Sequence, residues 1–321
     1  MSFKKSILFL AVVLFSALTF AQEYPQKTVR LISPIPAGGA PDLIARAVGQ
    51  RLSVLWSNPV VIENKIGSNG QVAADYVAHV APDGYTLLVG MDSLFVINPY
   101  LYKQSNVDVN KELISIATLG ANQFVLAINA NLPVKNLPEF VEYAKKANPA
   151  LAYASGGNGS QHHLTMELLK ARADMDLLHV PYKAGAAVYT DIMGGQITCY
   201  FGNLGSAMSL IRSGKIRALA VTSPARDPKL PDVPTMVELG FPGFEVLEWA
   251  GAHVQRGTPP AIVERLAKAF QAATVVPSVR ASLEKAGVSV IGSSQAEFMQ
   301  FLQADYSRWL AVAKESNIRA D

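Results

Sequence analysis

Two glycine-rich segments carry residue types able to hold an anion. Pro34-Ile35-Pro36-Ala37-Gly38-Gly39 leads from a short β-rich run into a helical pattern, and Ser155-Gly156-Gly157-Asn158-Gly159-Ser160 does the same further along. The first turn of a helix presents N–H groups without intrahelical partners at the positive end of the helix dipole. Glycines let that backbone approach a ligand closely, so a carboxylate or phosphate can be bound without a charged side chain. Either segment alone reads as a tight turn. One in each half of the chain points instead to two lobes closing on one anion. Asp42, at the start of the first helix, reads as a dipole-stabilising carboxylate rather than a catalytic base.

Other chemistries are poorly supplied. No GxxxxGK[ST] is present, and Gly157-Asn158-Gly159 lacks the third glycine of a dinucleotide fingerprint. Ser160 with His162 and His163 invites a serine-hydrolase reading, but the context does not fit G-x-S-x-G. His162 and His163 diverge by about 100° on a helix and cannot chelate one metal. His79, His179 and His253 have no set of acidic or histidine partners at ligand spacing on one helix face. No cofactor, metal or catalytic residue is therefore expected. Trp249, Tyr153, Tyr182 and Tyr200 read as core or cleft wall, and Arg46 and Arg51 as surface groups.

The elements that must position these turns alternate between short β-rich runs and amphipathic helices, which predicts α/β layers with mostly parallel sheets. Strands are expected at Val29 to Ser33, Val60 to Asn64, Tyr85 to Gly90, Phe124 to Ile128, Ala152 to Ala154, Leu177 to Val180, Ile197 to Phe201 and Ala218 to Val221. Helices are expected from about Pro41 to Leu55 and from Gln161 to Arg172. After the proline-rich stretch Pro224 to Pro242 and the apolar run Val246 to Val254, three helical patterns close the chain and are expected to cover the first half. The layout is α/β, a two-domain, hinged binding protein with an interdomain cleft. The first domain is 22–122 plus 245–321 and the second is 123–244.

Composition narrows the setting. The 321 residues are 50% hydrophobic and 17% charged, which excludes a disordered chain. Residues 1–21 read as a signal peptide: Lys4 and Lys5, an apolar run from Ile7 to Phe20, and Thr19-Phe20-Ala21 for cleavage after Ala21. That run falls short of the roughly 20 residues a bilayer span needs. Losing Lys4 and Lys5 lowers the net charge from +3 to +1, and no electrostatic footprint for nucleic acid remains. Cys199, the single cysteine, lies in an apolar run and reads as a buried thiol.

Pro34 through Asp42 with Ala45-Arg46 resembles the first signature of the tripartite tricarboxylate transporter solute receptors, also called the Bug family. Further matches follow in order: Val61-Ile62-Glu63-Asn64 with Gly67, Pro82-Asp83-Gly84-Tyr85-Thr86-Leu87-Leu88, Asn98-Pro99, Ser155 to Ser160 with His163-Leu164, His179-Val180-Pro181-Tyr182-Lys183, Gly214 to Ala220 and Leu230 to Thr235. The resemblance spans almost the whole chain after the signal peptide. It implies a periplasmic, monomeric receptor that binds a di-, tri- or aromatic carboxylate and delivers it to integral-membrane permease subunits. It also implies a site of Pro36, Ala37, Gly38, Gly39 and Asp42 facing Ser155, Gly156, Gly157, Asn158, Gly159, Ser160 and His163, with Ser93, Tyr182 and Asn203 completing the lining. Three departures stand out: Ile35 replaces a common aromatic, Lys183-Ala184-Gly185 shifts a glycine, and Gln255-Arg256 replaces Ala-Pro. The alternatives are a receptor presenting its ligand to a membrane signalling protein, and an exported hydrolase using Ser160 and His163. Replacing Gly39 or Gly157 by valine is expected to abolish binding, by blocking backbone approach and penalising a positive φ.

Overall fold

The computed structural model describes residues 24–101, 107–182 and 185–315. The expected signal peptide, its cleavage point after Ala21, and Lys183-Ala184 lie outside them.

Strand β1 (Val29–Ser33) leads into helix α1 (Ala40–Trp56), and β2 (Val60–Asn64) into a 3-10 turn (Ser68–Gly70) and α2 (Gln71–Ala78). Strand β3 (Thr86–Met91) runs straight into α3 (Asp92–Val96), followed by α4 (Asn98–Leu101) and α5 (Val109–Glu112). Next come β4 (Leu113–Asn129), α6 (Leu137–Lys146), β5 (Leu151–Ser155), α7 (Gln161–Ala173) and β6 (Leu177–Pro181). The series continues with α8 (Gly185–Gly194), β7 (Cys199–Asn203), α9 (Leu204–Arg212) and β8 (Ile216–Val221). The chain closes with β9 (Leu247–Gln255), α10 (Pro260–Thr274), α11 (Pro277–Lys285), β10 (Ser289–Val290) and α12 (Gln295–Glu315).

The strands hydrogen-bond in the order β2-β1-β3-β9-β4-β7-β5-β6, with β8 and β10 also on β4. Strand β4 is shared between two sheets. Its first part, Leu113 to Gln123, pairs with β9, and the remainder, from Phe124, pairs with β7 and β8. The expectation of mostly parallel sheets needs correcting. Pairs β1–β2, β1–β3, β5–β6 and β5–β7 are parallel, but every pair made by β4 or β9 is antiparallel. The reason is connectivity: β4 carries the chain out of the first sheet and β9 brings it back, so the two passes run in opposite directions. The strand expected at Phe124 to Ile128 is thus only the end of a 17-residue strand.

Thr222 ties the two passes together. Its backbone N–H donates to the Phe124 carbonyl at 3.0 Å, and its carbonyl accepts from Val246 N–H at 3.0 Å. Its hydroxyl donates to the Val246 carbonyl at 2.6 Å and accepts from Phe124 N–H at 2.9 Å.

The closing helices do cover the first sheet. Leu266 and Phe270 of α10 and Leu283 of α11 share a core with Leu31 of β1 and Ile44 and Val48 of α1. On the other face Phe298 of α12 meets Trp249 edge to face at 5.3 Å, and Trp249 Nε1 donates to the buried Asp305 at 2.8 Å. Each such fully buried side chain contributes roughly 1.5–3 kcal/mol of transfer free energy. Cys199 is fully buried, and burial pushes its thiol pKa up, away from reactivity.

Candidate ligand-binding cleft

The register brings the carboxyl ends of the parallel strands to one place. Met91 of β3 lies opposite Ala250 of β9, Leu247 opposite Gln123 of β4, and Phe124 opposite Asn203 of β7. Strand β1 runs parallel to β3, and β5 parallel to β7. The turns after β1 and β5, Ser93 after β3 and Asn203 at the end of β7 therefore surround the junction of the two sheets. In α/β proteins this end of the strands is where ligands bind.

In the first turn Gly38 has φ +90°, a conformation that L side chains rarely adopt. Its N–H donates to Asp42 Oδ2 at 2.9 Å. Arg46 grips the same carboxylate through two bonds of 2.8 and 3.0 Å, and Asn64 Nδ2 donates 2.8 Å to both Asp42 Oδ1 and the Ile35 carbonyl. Burial pushes the Asp42 pKa up, but the bonds from Arg46, Gly38 and Asn64 outweigh it and hold the carboxyl below its usual range. Asp42 thus anchors the turn from beneath, and Arg46, expected as a plain surface group, is part of that anchor. Pro36, Ala37 and Gly38 are exposed. Gly39 caps α1 at φ −75°, so the expected positive φ belongs to Gly38 instead. What Gly39 avoids is Ile35, whose Cδ1 occupies the space a Cβ would need.

A third turn stands beside the first. Gly70, at φ +91°, is packed so that a Cβ would lie 3.3 Å from both Met91 Cε and Pro34 Cβ. Ser68 and Asn69 are non-glycine residues at φ 45° and 48°, a costly pairing of the kind found at ligand clamps. Asn69 Nδ2 donates to Asn98 Oδ1 at 2.7 Å, and Ser93 Oγ reaches Asn69 Oδ1 at 3.5 Å. The sequence reading missed Asn69. The signal was available as a third glycine-flanked step from strand to helix.

In the second turn Gly157 has φ +114° and Gly159 φ +72°. Ser155 Oγ accepts from Gly157 N–H at 3.0 Å and lies 2.6 Å from His179 Nε2. Ser160 Oγ caps α7 by accepting from His163 N–H at 3.3 Å. The His163 ring stacks on His179 at 4.0 Å, and its Nδ1 accepts from Gly159 N–H at 3.2 Å. Burial, then the charge of His179, lowers the His163 pKa to about 4, which keeps the ring neutral as that accepting role requires. His163 braces the turn, and Ser160 and His163 do not form a nucleophile–base pair. Tyr182 is a brace too, donating its N–H to the Ser155 carbonyl at 3.0 Å and its hydroxyl to Asp191 Oδ2 at 2.5 Å. Gly156 and Asn158 are exposed.

Its neighbour His162 makes the contacts that sequence reasoning did not foresee. His162 Nε2 lies 2.9 Å from Asn203 Oδ1, and the ring packs against Phe124 and Tyr200. Asn203 Nδ2 donates to Glu248 Oε2 at 2.5 Å, and Asn122 Nδ2 reaches the same oxygen at 3.4 Å. No hydrogen bond among the described residues joins the first turn to the second. One chain of contacts between the sheets runs through Asn203, Glu248 and Asn122. Arg256 lies at the opposite end of β9, its N–H on the Glu112 carbonyl at 2.9 Å. There it helps line a separate cavity of about 950 Å³ between α5 and α12.

Two α/β sheets sharing crossing strands, with helix starts gathered at the carboxyl strand ends, define a periplasmic binding protein fold. The chain belongs to the tripartite tricarboxylate transporter receptor family, whose model matches residues 44–318. It is 31% identical to a protein encoded between tcbD and tcbE in Pseudomonas sp. (strain P51), covering 93% of this chain and 89% of the relative. It is 29% identical to BugT of Bordetella pertussis (strain Tohama I), covering 97% and 96%. Among solved structures, a Rhodopseudomonas palustris protein with adipate is 30% identical with a TM-score of 0.82, covering 92% of this chain and 99% of that one. MatC of R. palustris with bound malate is 32% identical with a TM-score of 0.80, covering 90% and 99%. No described helix is long and apolar enough to cross a membrane.

Proposed function

We propose that this chain is an exported periplasmic receptor that captures a small organic carboxylate between two lobes and delivers it to the permease subunits of a tripartite transporter. The lobes are 22–122 with 245–321, and 123–244, and the working unit is a monomer. The observation that carries the reading is the pair of glycine-rich helix starts, after β1 and β5, each braced from beneath by its own side chains. Asp42 fixes one and His163 the other, so backbone N–H groups remain the natural contacts for a carboxylate. The adipate and malate bound to two relatives support the same ligand class. A ligand touching both turns binds the closed arrangement better than the open one, and that difference drives closure about the β4 and β9 crossings. The test is a thermal-shift screen of mono-, di-, tri- and aromatic carboxylates against sugars and inorganic cations. Stabilisation by at least one carboxylate is expected. Stabilisation by sugars or cations alone would sink the reading.

A further inference from the structure

The proline-rich stretch after β8 takes no part in the glycine turns, yet it reaches from one lobe to the other. Pro224, Pro228, Pro231 and Pro234 each fix a backbone φ. Arg226 Nε donates to both carboxylate oxygens of Glu238, at 3.0 and 2.9 Å, and Glu238 Oε2 accepts from Thr235 N–H at 2.7 Å. Thr235 bridges in turn to Val221 at the end of β8. The stretch is thereby braced as a stiff arm of the second lobe.

This arm grips β4 where the strand passes between the sheets. Gln123 Nε2 donates to Asp227 Oδ2 at 2.5 Å, and Ser223 Oγ donates to Gln123 Oε1. Asp227 Oδ1 accepts from Lys229 N–H at 2.7 Å, and Lys229 Nζ reaches the Glu284 carbonyl of the first lobe at 3.5 Å. Glu284 lies in the last turn of α11, at the negative end of its dipole. The same carbonyl accepts from Gly287 N–H at 3.1 Å, and Gly287 stands main chain to main chain against Gly205 of α9. The two contacts border a crevice of about 110 Å³, so the lobes touch here at points and not through a packed core.

Both contacts lie behind the crossing. Asn122 and Gln123 are successive residues of β4, opposite Glu248 and Leu247, so their side chains leave opposite faces. Asn122 turns to Glu248 and, through Asn203, to His162. The His162 ring adjoins the second turn, since a Cβ on Gly156 would lie 3.2 Å from its Nδ1. Gln123 turns the other way, to Asp227. A rotation about the crossing that brings the glycine turns together therefore parts the arm from α11.

We infer that the proline-rich arm is a latch: Lys229, seated by Asp227 on Gln123, holds α11 and keeps the two glycine turns apart until the lobes close. The inference rests on the hinged two-lobe reading and is independent of which ligand is bound. Removing a contact made only with the turns apart shifts the ligand-free population towards closure.

The experiment is pulsed electron–electron resonance on the dialysed, ligand-free protein carrying nitroxides at Ile66→Cys and Leu178→Cys. These positions are 58% and 61% exposed, one in each lobe, and the buried Cys199 stays unlabelled. Lys229→Met keeps the stem and loses the donor, while Asp227→Ala unseats the arm. Each is expected to raise the ratio of short to long separations about two- to fivefold, the scale of one cation at a helix C-terminus. Lys229→Arg, which still donates, should stay near the wild type. Separations that are broad but unmoved in folded Lys229→Met, or moved to longer values, overturn the latch and leave the carboxylate reading standing. A shift with Asp227→Ala alone overturns the role of Lys229. If the wild type and every variant share one narrow separation, the hinge falls together with the latch.

Discussion

Gly205 and Gly287 meet backbone to backbone where the two sheets adjoin. A Cβ on Gly205 would stand 2.7 Å from the Gly287 Cα and 2.9 Å from the Ala286 carbonyl oxygen. Gly205 opens α9 behind β7 of the second sheet, and Gly287 precedes β10 of the first. Since the opposing atoms are main chain, no rotamer change relieves the clash. Gly205→Ala is expected to cost about 1–3 kcal/mol by overpacking, a fall of roughly 2–4 °C in Tm per kcal/mol. Differential scanning calorimetry measures it, and an unchanged Tm would mean that the contact yields freely.

The two turns call for different substitutions from those expected of a generic glycine loop. Gly38 and Gly157 have positive φ, and nothing lies within 4 Å of a Cβ at either. Valine there has room for its side chain but strains the backbone by about 1–2 kcal/mol. Both variants should stay folded and lose at least tenfold in carboxylate affinity by calorimetry, because the N–H groups are re-aimed. At Gly39 the obstacle is the Ile35 side chain, so Ile35→Ala should restore the binding lost in Gly39→Ala. Additive losses in the double variant would count against that account.

Asp42 should matter through the turn it holds. Asp42→Ala removes the acceptor of the Gly38 N–H and one of the two acceptors of the Asn64 amide, at a cost of about 1–3 kcal/mol. The native carboxyl is held below its usual range, so its contribution is full above the ordinary pKa, near 4, and is lost as pH falls through the lower native value. Melts of wild type and Asp42→Asn should therefore differ at pH 7 and converge as pH is lowered below that window. A gap that persists in strong acid would show that the charge is not what counts.

His163 gives the opposite end of the cleft its own pH dependence. The native ring titrates at about 4, whereas the unfolded ring takes up its proton near 6.5. Between those values the unfolded chain binds more protons, so stability is full above the unfolded pKa and falls as pH drops towards 4. Protonation also removes the Nδ1 acceptor from Gly159, loosening the second turn. The expected result is a Tm that declines from pH 6.5 to 4, with a shallower decline in His163→Phe. Equal slopes in the two proteins would assign the decline to other groups.

What the sequence made legible was local. The glycine turns sit where strand yields to helix, and β1 and β2 match their expected limits, because apolar spacing and Gly/Pro punctuation act over a few residues. The first part of β4 went unseen because it is buried on both faces and shows no alternation. Helix α9 was missed for want of a marked start: Asn203, its N-cap residue, makes no capping bond because its side chain is spent on Glu248. The cluster of Asn203, Glu248 and Asn122 was invisible, since Glu248 meets partners 45 and 126 residues away. The choice between His162 and His163 had the same cause. Adjacent helical residues differ by about 100°, and only the placement of α7 decides which ring meets Asn203.

Thr222 offers a test of how the two passes between the sheets are held together. Its hydroxyl serves the Phe124 N–H and the Val246 carbonyl at once, in a fully buried position. Thr222→Val preserves the volume and removes only the polar atom, so both main-chain groups lose their side-chain partner. Each has a claim of about 1–3 kcal/mol when left unsatisfied. The Val246 carbonyl and Phe124 N–H sit where the chain leaves and re-enters the first sheet, so the loss should also loosen the crossing. The expected signature is a lower Tm together with faster amide exchange at Phe124 and its neighbours, while exchange in the α10 core stays slow. Thr222→Ser keeps the hydroxyl and should recover most of the protection. If valine proved as protective as serine, the hydroxyl would be a passenger and backbone pairing alone would hold the crossing.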